Sequence, residues 1–318
     1  MAETGIGLFY IPMDDPHGSE YVAPPFRCIA YMSGFTGSAA ELVIGREEAW
    51  LFTDGRYYVQ AEKQLAGSGI TLMRAGMEGV PETGTLIREE MKKLSGTGLA
   101  FGFDGSVVSA GKAKEFLSLI GNAPVVSDRD PVHEIWADCP ESKVTEIWNF
   151  PKEFCGTTAA QRLSLLRRIL SGEAGGNNYL YLMSSLDDIA WTFLIRANDI
   201  ADNPVAFAYA AITAEGAVLF VKPDAVTDDV RAQLEAQDVK IGDYAGDALL
   251  AALPEAKTLG TTVLLDPSAT NYRIYSACKE AGCPVKEITD PSSLLKGVKN
   301  KTELYHACQT LKRDSLCV

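Results

Sequence analysis

Apolar and polar positions fall into two series that repeat in the same order along the chain. An apolar run at residues 8–11 leads through a polar loop to two short predicted strands, 39–44 and 49–52, and a helix is predicted to start near Asp54. The segment FGFDGSVVSAGKAKEFLSLI and an extended stretch at 124–126 follow. In the second half a strand is predicted at 179–183, a helix at 186–195, and a hairpin joining 205–213 to 217–221 across Ala214-Glu215-Gly216. A helix over 230–236 comes next, then VLLDPSATNYRIYSACKEAG and PVKEI, which mirror the earlier strand, aspartate, loop, helix and strand.

Asp104 and Asp266 stand 162 residues apart, and Phe52 and Phe220 stand 168 apart, so the offset is nearly constant. Two similar α/β domains follow from this. Residues 205–213, VAFAYAAIT, are apolar at both parities, which suits a sheet with helices on each side. The link runs near 148–158, where Pro151 and Gly156 break the periodicity. Boundaries are placed at 1–150 for the first domain and 151–293 for the second, with 294–318 opening a further helix. Thr158, with Gln161 three residues on, is a predicted capping box for a helix through LSLLRRIL. The first domain has no counterpart of that helix, so one face of its sheet is expected to lack a cover, at roughly 1.5–3 kcal/mol for each side chain left exposed.

Composition narrows the partners. The 318 residues carry a net charge of −13 and a pI near 4.8, which offers no general attraction to nucleic acid or to an anionic membrane. No apolar run approaches the roughly 18–20 residues needed to span a bilayer. The first residues, MAETGIGLFY, lack a basic n-region and cleavage site, which points to the cytoplasm. Seven scattered cysteines without a C-x-x-C pair read as reduced thiols.

Few residues suggest chemistry. Asp54 fits as a helix N-cap accepting from the N–H of Arg56 or Tyr57. Arg56 is a cation in a first helical turn, where it opposes the macrodipole. It either pairs with Asp54 or Glu62 at the surface or has a separate use. Asp14, Asp15, His17 and Glu20 resemble metal ligands in type, and a turn with local hydrogen bonds and a capped helix start is the other reading, the one that the family resemblance given below implies. Gly34 and Gly37 match no phosphate-loop spacing and read as a close backbone turn. His133 lies beside Glu134 and Trp136 in PVHEIWADCPE, for which the family resemblance given below implies a structural, domain-closing role. No nucleophile or zinc-protease motif is present.

Three blocks carry a family resemblance: YMSGFTGSAAELVIGREEAWLFTDGRYYVQAEKQL at 31–65, SLDDIAWTFLIRANDIADNPVAFAYA at 185–210, and KGVKN at 296–300. They resemble the N-terminal region of aminopeptidase P, the Xaa-Pro aminopeptidase. Creatinase and prolidase share the layout, but TDGRYYVQAEKQL and LDDIAW favour aminopeptidase P. The resemblance implies two creatinase/prolidase N-terminal-type domains, each a mixed sheet flanked by helices. It also implies that Arg56 matches the arginine that reaches a neighbouring subunit's active site and contacts the bound peptide, which makes Arg56 the substrate-binding candidate.

The family's two divalent metal ions, manganese, sit in a C-terminal domain on two aspartates, a histidine and two glutamates. Beyond Val298 this chain has only Asp314, His306 and Glu303, too few carboxylates for such a site. No catalytic or metal-binding residue is therefore assigned. KGVKN resembles the family's entry into the catalytic domain; Asn300 and Glu303 have capping-box spacing, and Leu304, Cys308 and Leu311 form an apolar stripe that needs a partner surface. The expected function is the non-catalytic N-terminal part of a homodimeric Xaa-Pro aminopeptidase, serving dimerisation and substrate gating toward peptides with proline second. The alternative is a stand-alone protein-interaction module.

Overall fold

Strand β1 (Ile6–Pro12) is apolar and buried along almost its whole length, so it lies inside a sheet covered on both faces. The computed structural model describes residues 4–244 and 248–317. It resolves into two units, 1–142 with 271–275 and 143–270 with 276–318, the passage at 142/143 lying upstream of the 150/151 boundary expected from the sequence.

The first unit runs β1, α1 (Cys28–Ser33), β2 (Glu41–Gly45), β3 (Ala49–Thr53), α2 (Tyr58–Gln64), β4 (Ile70–Arg74), α3 (Thr83–Lys93), β5 (Ala100–Phe103), α4 (Ala110–Ile120), β6 (Val125–Val126) and α5 (Pro131–Ile135). Its six strands lie in the order β4-β3-β2-β1-β5-β6. β1, β2 and β3 are antiparallel neighbours, while β4, β5 and β6 join in parallel. On one face Leu8 and Tyr10 pack with Phe101, Ile87, Met91 and Phe116, under α3 and α4.

On the other face Phe9 and Ile11 pack with Ile29, Phe35, Ala61, Leu65 and Val132. This is the face expected to lack a cover. The short helices α1 and α5, with α2 and Phe35 between them, occupy it instead. Tyr31 of α1 stacks on Trp136 at 4.5 Å and donates from its hydroxyl to the Ile135 carbonyl at 3.0 Å, which ties α1 to the end of α5. Aromatic area thus replaces part of the missing long helix.

The second half continues with β7 (Trp148–Asn149), α6 (Lys152–Cys155), α7 (Ala159–Ala174), β8 (Tyr179–Met183), α8 (Leu186–Phe193), β9 (Ile195–Arg196), β10 (Tyr209–Ile212), β11 (Ala217–Val221), α9 (Asp228–Glu235), β12 (Val239–Asp243), α10 (Leu253–Thr258), β13 (Thr262–Leu265), α11 (Tyr272–Glu280), β14 (Val285–Glu287), α12 (Pro291–Gly297) and α13 (Lys301–Asp314). Its sheet order, β12-β11-β10-β8-β13-β14, repeats the first sheet strand for strand, with the same parallel and antiparallel joins. The duplication read from the sequence is therefore a duplication of topology. It extends to polar detail: Asp104 Oδ1 accepts from the N–H and hydroxyl of Ser106, and Asp266 Oδ1 does the same with Ser268. Asp130 and Asp290 then each cap a helix that opens on proline.

The capping box at Thr158 forms as expected and starts α7, whose Leu163, Leu166 and Leu170 are buried against β8. The helix predicted over 186–195 is shorter. It stops at Phe193 because Leu194 takes a left-handed conformation at φ 54°, and Ile195–Arg196 turns into a two-residue ribbon with β7. Replacing Leu166, which is fully buried, by alanine should destabilise the second unit by about 2–5 kcal/mol. Hydrogen exchange should report that loss in β8 and not in β1, alongside a lower denaturant midpoint.

Candidate functional site

The block 31–65 folds into one surface of the first unit. α1 ends on Gly34, whose φ of +73° only glycine adopts freely. Ser33 then accepts from the Phe35 N–H at 3.1 Å while its own hydroxyl donates to the Ile29 carbonyl at 2.6 Å, turning Phe35 fully into the core. Gly37 lies against that ring, since a Cβ there would sit 2.3 Å from Phe35 Cζ and 2.8 Å from Tyr57 Cδ1. A close backbone turn, and no phosphate loop, explains both glycines. Thr36 accepts from Gln60 at 3.1 Å and Gln64 at 2.8 Å, which binds this turn to α2.

β3 delivers the other side. Thr53 donates to the Ala39 carbonyl at 2.6 Å, and a turn follows in which the Tyr57 N–H reaches the Asp54 carbonyl at 3.0 Å. Asp54 does accept from the Arg56 N–H, at 3.0 Å, as expected. It caps this turn and not the helix, which starts only at Tyr58. Arg56 therefore sits before the helix, and the macrodipole argument for its unusual character falls away. Tyr57 is fixed by its hydroxyl contact with Ser38 at 2.6 Å and by an edge-on approach to Phe35 at 5.9 Å.

Arg56 makes a two-pronged contact with Asp54, Nε to Oδ1 at 2.9 Å and Nη2 to Oδ2 at 2.7 Å. Glu62, the other expected partner, pairs with Arg74 at 3.2 Å. The Arg56 hydrogen bonds hold the Asp54 carboxyl below its usual range and raise the guanidinium in turn. Both groups are open to solvent, the Arg56 side chain at 68 %. Surface pairs of this kind contribute little to stability, so the guanidinium can leave Asp54 for a stronger acceptor at small cost. A planar fork with five donors suits a carboxylate or a peptide carbonyl.

Counting from Phe52 and Phe220, the second unit has Lys222, Pro223 and Asp224 where the first has Asp54, Gly55 and Arg56. Its strand ends there in a turn at Pro223–Ala225. The shared topology thus accepts an acidic residue where Arg56 stands, and nothing in the sheet or its helices calls for an arginine.

The other sequence candidates fall into structural roles. Asp15 is buried and accepts from the N–H groups of His17 at 2.9 Å and Ser19 at 3.1 Å, so the 14–20 segment is a turn organised on that carboxylate. Glu20 is exposed at its edge. His133 is held between the Asp130 carboxylate and the Pro25 carbonyl, the latter at 2.9 Å, with its ring beside Trp136. Among the described residues no three His, Cys, Asp or Glu side chains lie grouped to hold a metal.

A model of the creatinase/prolidase N-terminal domain matches residues 1–134, and a second of the same description matches 138–303. The chain belongs to the creatinase/prolidase N-terminal domain family. Its relatives within that family include aminopeptidase P2 of Arabidopsis thaliana, 35% identical over 88% of this chain and 39% of the relative. A probable Xaa-Pro aminopeptidase P of Pyrenophora teres is 34% identical over 99% of this chain and 48% of the relative. An X-prolyl aminopeptidase from Caenorhabditis elegans, described as a cytosolic enzyme with a di-nuclear active site, superposes with a TM-score of 0.84 at 28% identity, covering 94% of this chain and 48% of that one. The creatinase/prolidase N-terminal domain chain thus spans about half the length of the relatives it matches, or less. The aminopeptidase P resemblance and the two-domain α/β fold both stand. No helix among the described residues is long and apolar enough to cross a membrane.

Asp14, next to the buried turn, is itself raised to about 7, chiefly by burial and further by the Asp15 charge, against a hydrogen bond from the Asp15 N–H. A carboxyl raised on folding takes up a proton relative to the unfolded chain, whose aspartates titrate near about 3.9. Its penalty is absent below that value, grows as pH rises, and is complete above about 7. Asp14→Asn keeps the acceptor for the Asp15 N–H and removes the charge. The melting temperature of this variant should fall less between acidic and mildly alkaline pH than the parent's, and should exceed it on the alkaline side.

Proposed function

We propose that this chain is the N-terminal, non-catalytic part of a metal-dependent Xaa-Pro aminopeptidase, and that its work is dimer formation and substrate gating. The observation that carries this reading is the end-to-end match of nearly the whole chain to about half of Xaa-Pro aminopeptidase relatives. The dinuclear centre, with manganese as the expected metal, belongs on this reading to the half of the relatives that the chain does not cover. α13 supports it locally: no residue of the helix is buried, and Leu304 and Leu311 are exposed at 52% and 64%. In the complete enzyme that stripe would pack on the catalytic domain. Residues 294–318 are then the passage into it.

Arg56 is the proposed substrate contact. Its solvent-open guanidinium, the rigid Tyr57 and Phe35 base beneath it, and the absence of a fold requirement at its position support that role. In the homodimer it would leave Asp54 for the peptide held by the neighbouring subunit, a peptide with proline second. The cytoplasm is the proposed location, in keeping with the description of the nematode relative.

The reading is tested by the gene and by kinetics. The open reading frame should continue past Val318 into a segment with two aspartates, a histidine and two glutamates; a natural stop codon there would overturn the reading. In the complete enzyme Arg56→Ala should lower kcat/KM for Xaa-Pro peptides by roughly tenfold or more, the loss of one charge-assisted contact. Metal content and melting temperature should be unchanged. Unaltered kinetics would remove Arg56 from the site. Light scattering should show a dimer for the complete protein.

A further inference from the structure

α13 is fourteen residues long and buries none of them, yet a helix of this length is marginal in water when left alone. What holds it is confined to its first turns. Asn300 caps the helix by accepting from the N–H groups of Thr302 at 2.9 Å and Glu303 at 3.0 Å, and Glu303 Oε2 closes the box by accepting from the Asn300 N–H at 2.9 Å. The Asn300 side-chain amide donates to the Cys155 carbonyl at 2.7 Å, and His306 Nε2 meets the Glu153 carbonyl at 3.1 Å.

The other oxygen of Glu303 accepts from Arg162 Nη2 at 2.9 Å. Arg162 is only 4% exposed. Its remaining nitrogens donate to the Trp191 carbonyl at 2.6 Å and the Thr157 hydroxyl at 2.8 Å, and its guanidinium lies 4.2 Å over the Trp191 ring. Backbone shape contributes independently. Gly156 has φ +69°, and a Cβ there would stand 2.7 Å from Thr302 Oγ1 and 2.8 Å from its Cβ. The first turn of α13 therefore fits against a bare stretch of main chain.

We infer that residues 152–162 form a socket that nucleates α13 and sets its direction, with the buried Arg162 as its positioning residue acting through Glu303. The costly first turn of the helix is supplied ready-made, and propagation carries the remaining turns into solvent. A long arginine inside helix α7 spends its donors on fixing another helix. The socket does not depend on the peptidase reading, because every group in it belongs to this chain.

Hydrogen exchange on the 318-residue chain tests this. Arg162→Met should speed exchange of the amides at 305–314 by about tenfold or more, as α13 loses its anchor, with a matching drop in helical circular dichroism. Glu303→Gln keeps an oxygen for the Asn300 N–H and so preserves the capping box; it should nevertheless accelerate the same amides, because the charge facing Arg162 is gone. Arg162→Lys, which keeps the charge without the fork, should fall between Arg162→Met and the parent. In all three, exchange in β8 should stay as in the parent. Unchanged exchange of α13 in both Arg162→Met and Glu303→Gln would overturn the socket. Equal acceleration of α13 and β8 would also overturn it, by making Arg162 a general core residue. If Arg162→Met fails to fold, Glu303→Gln decides alone, since it leaves an oxygen for the Asn300 N–H and with it the capping box.

Discussion

A sheet that is apolar on both faces has to be covered twice, and each unit of this protein is shaped by how it meets that demand. The second unit meets it with α7, a regular helix whose leucines lie along β8. In the first unit the same face is closed by pieces: α1, Phe35, α2 and α5. Closing a face with short elements requires tight joints between them, and the joints are the polar and glycine-rich positions of block 31–65. Gly34 stops α1, Ser33 turns Phe35 inward, Gly37 admits that ring against Tyr57, and Thr36 fastens the turn to α2. Arg56 is presented by this closure. Its place on the surface follows from covering the sheet.

That origin separates packed residues from an exchangeable one within a few positions. Phe35 is fully buried, and Tyr57 is held by Ser38 and by the edge of the Phe35 ring, so both are explained by packing. Asp54 organises a turn, and its bond to the Arg56 N–H would persist if the side chain of residue 56 were removed. The Arg56 guanidinium rests on an exposed carboxylate that it can exchange for another acceptor.

Much of this was legible in the sequence where a local signal and the global fold agree. The repeat, the central strands and both capping boxes at Thr158 and Asn300 were readable because alternation and N-x-x-E or T-x-x-Q spacing act over a few residues. Edge strands β4 and β12 were not, since ITLMR and VKIGD are half exposed and alternate weakly. The end of α8 had no signal either: a leucine at positive φ is imposed by the ribbon that follows it. Arg56 could be narrowed to two partners by spacing, and only distances choose Asp54 over Glu62. Arg162 was invisible, because an arginine in an amphipathic helix reads as solvent face until the fold brings Glu303, 141 residues away, into contact.

The duplication gives the protein its own comparison for every such claim. Features present in both units, such as the Asp104-Ser106 and Asp266-Ser268 turns or the proline-led helices after Asp130 and Asp290, are parts of the common design and need no reference to function. Features confined to one unit are those that the common design does not account for. Arg56 is confined to the first, standing where the second has Asp224. The helix α7 with its buried Arg162 is confined to the second, and so is the α13 it anchors. The first unit carries an exposed cation beside Tyr57, and the second a buried arginine that meets Glu303 of α13. A shared sheet order constrains both units equally, and it accommodates the second unit without an arginine at the Arg56 position and the first without a counterpart of α7.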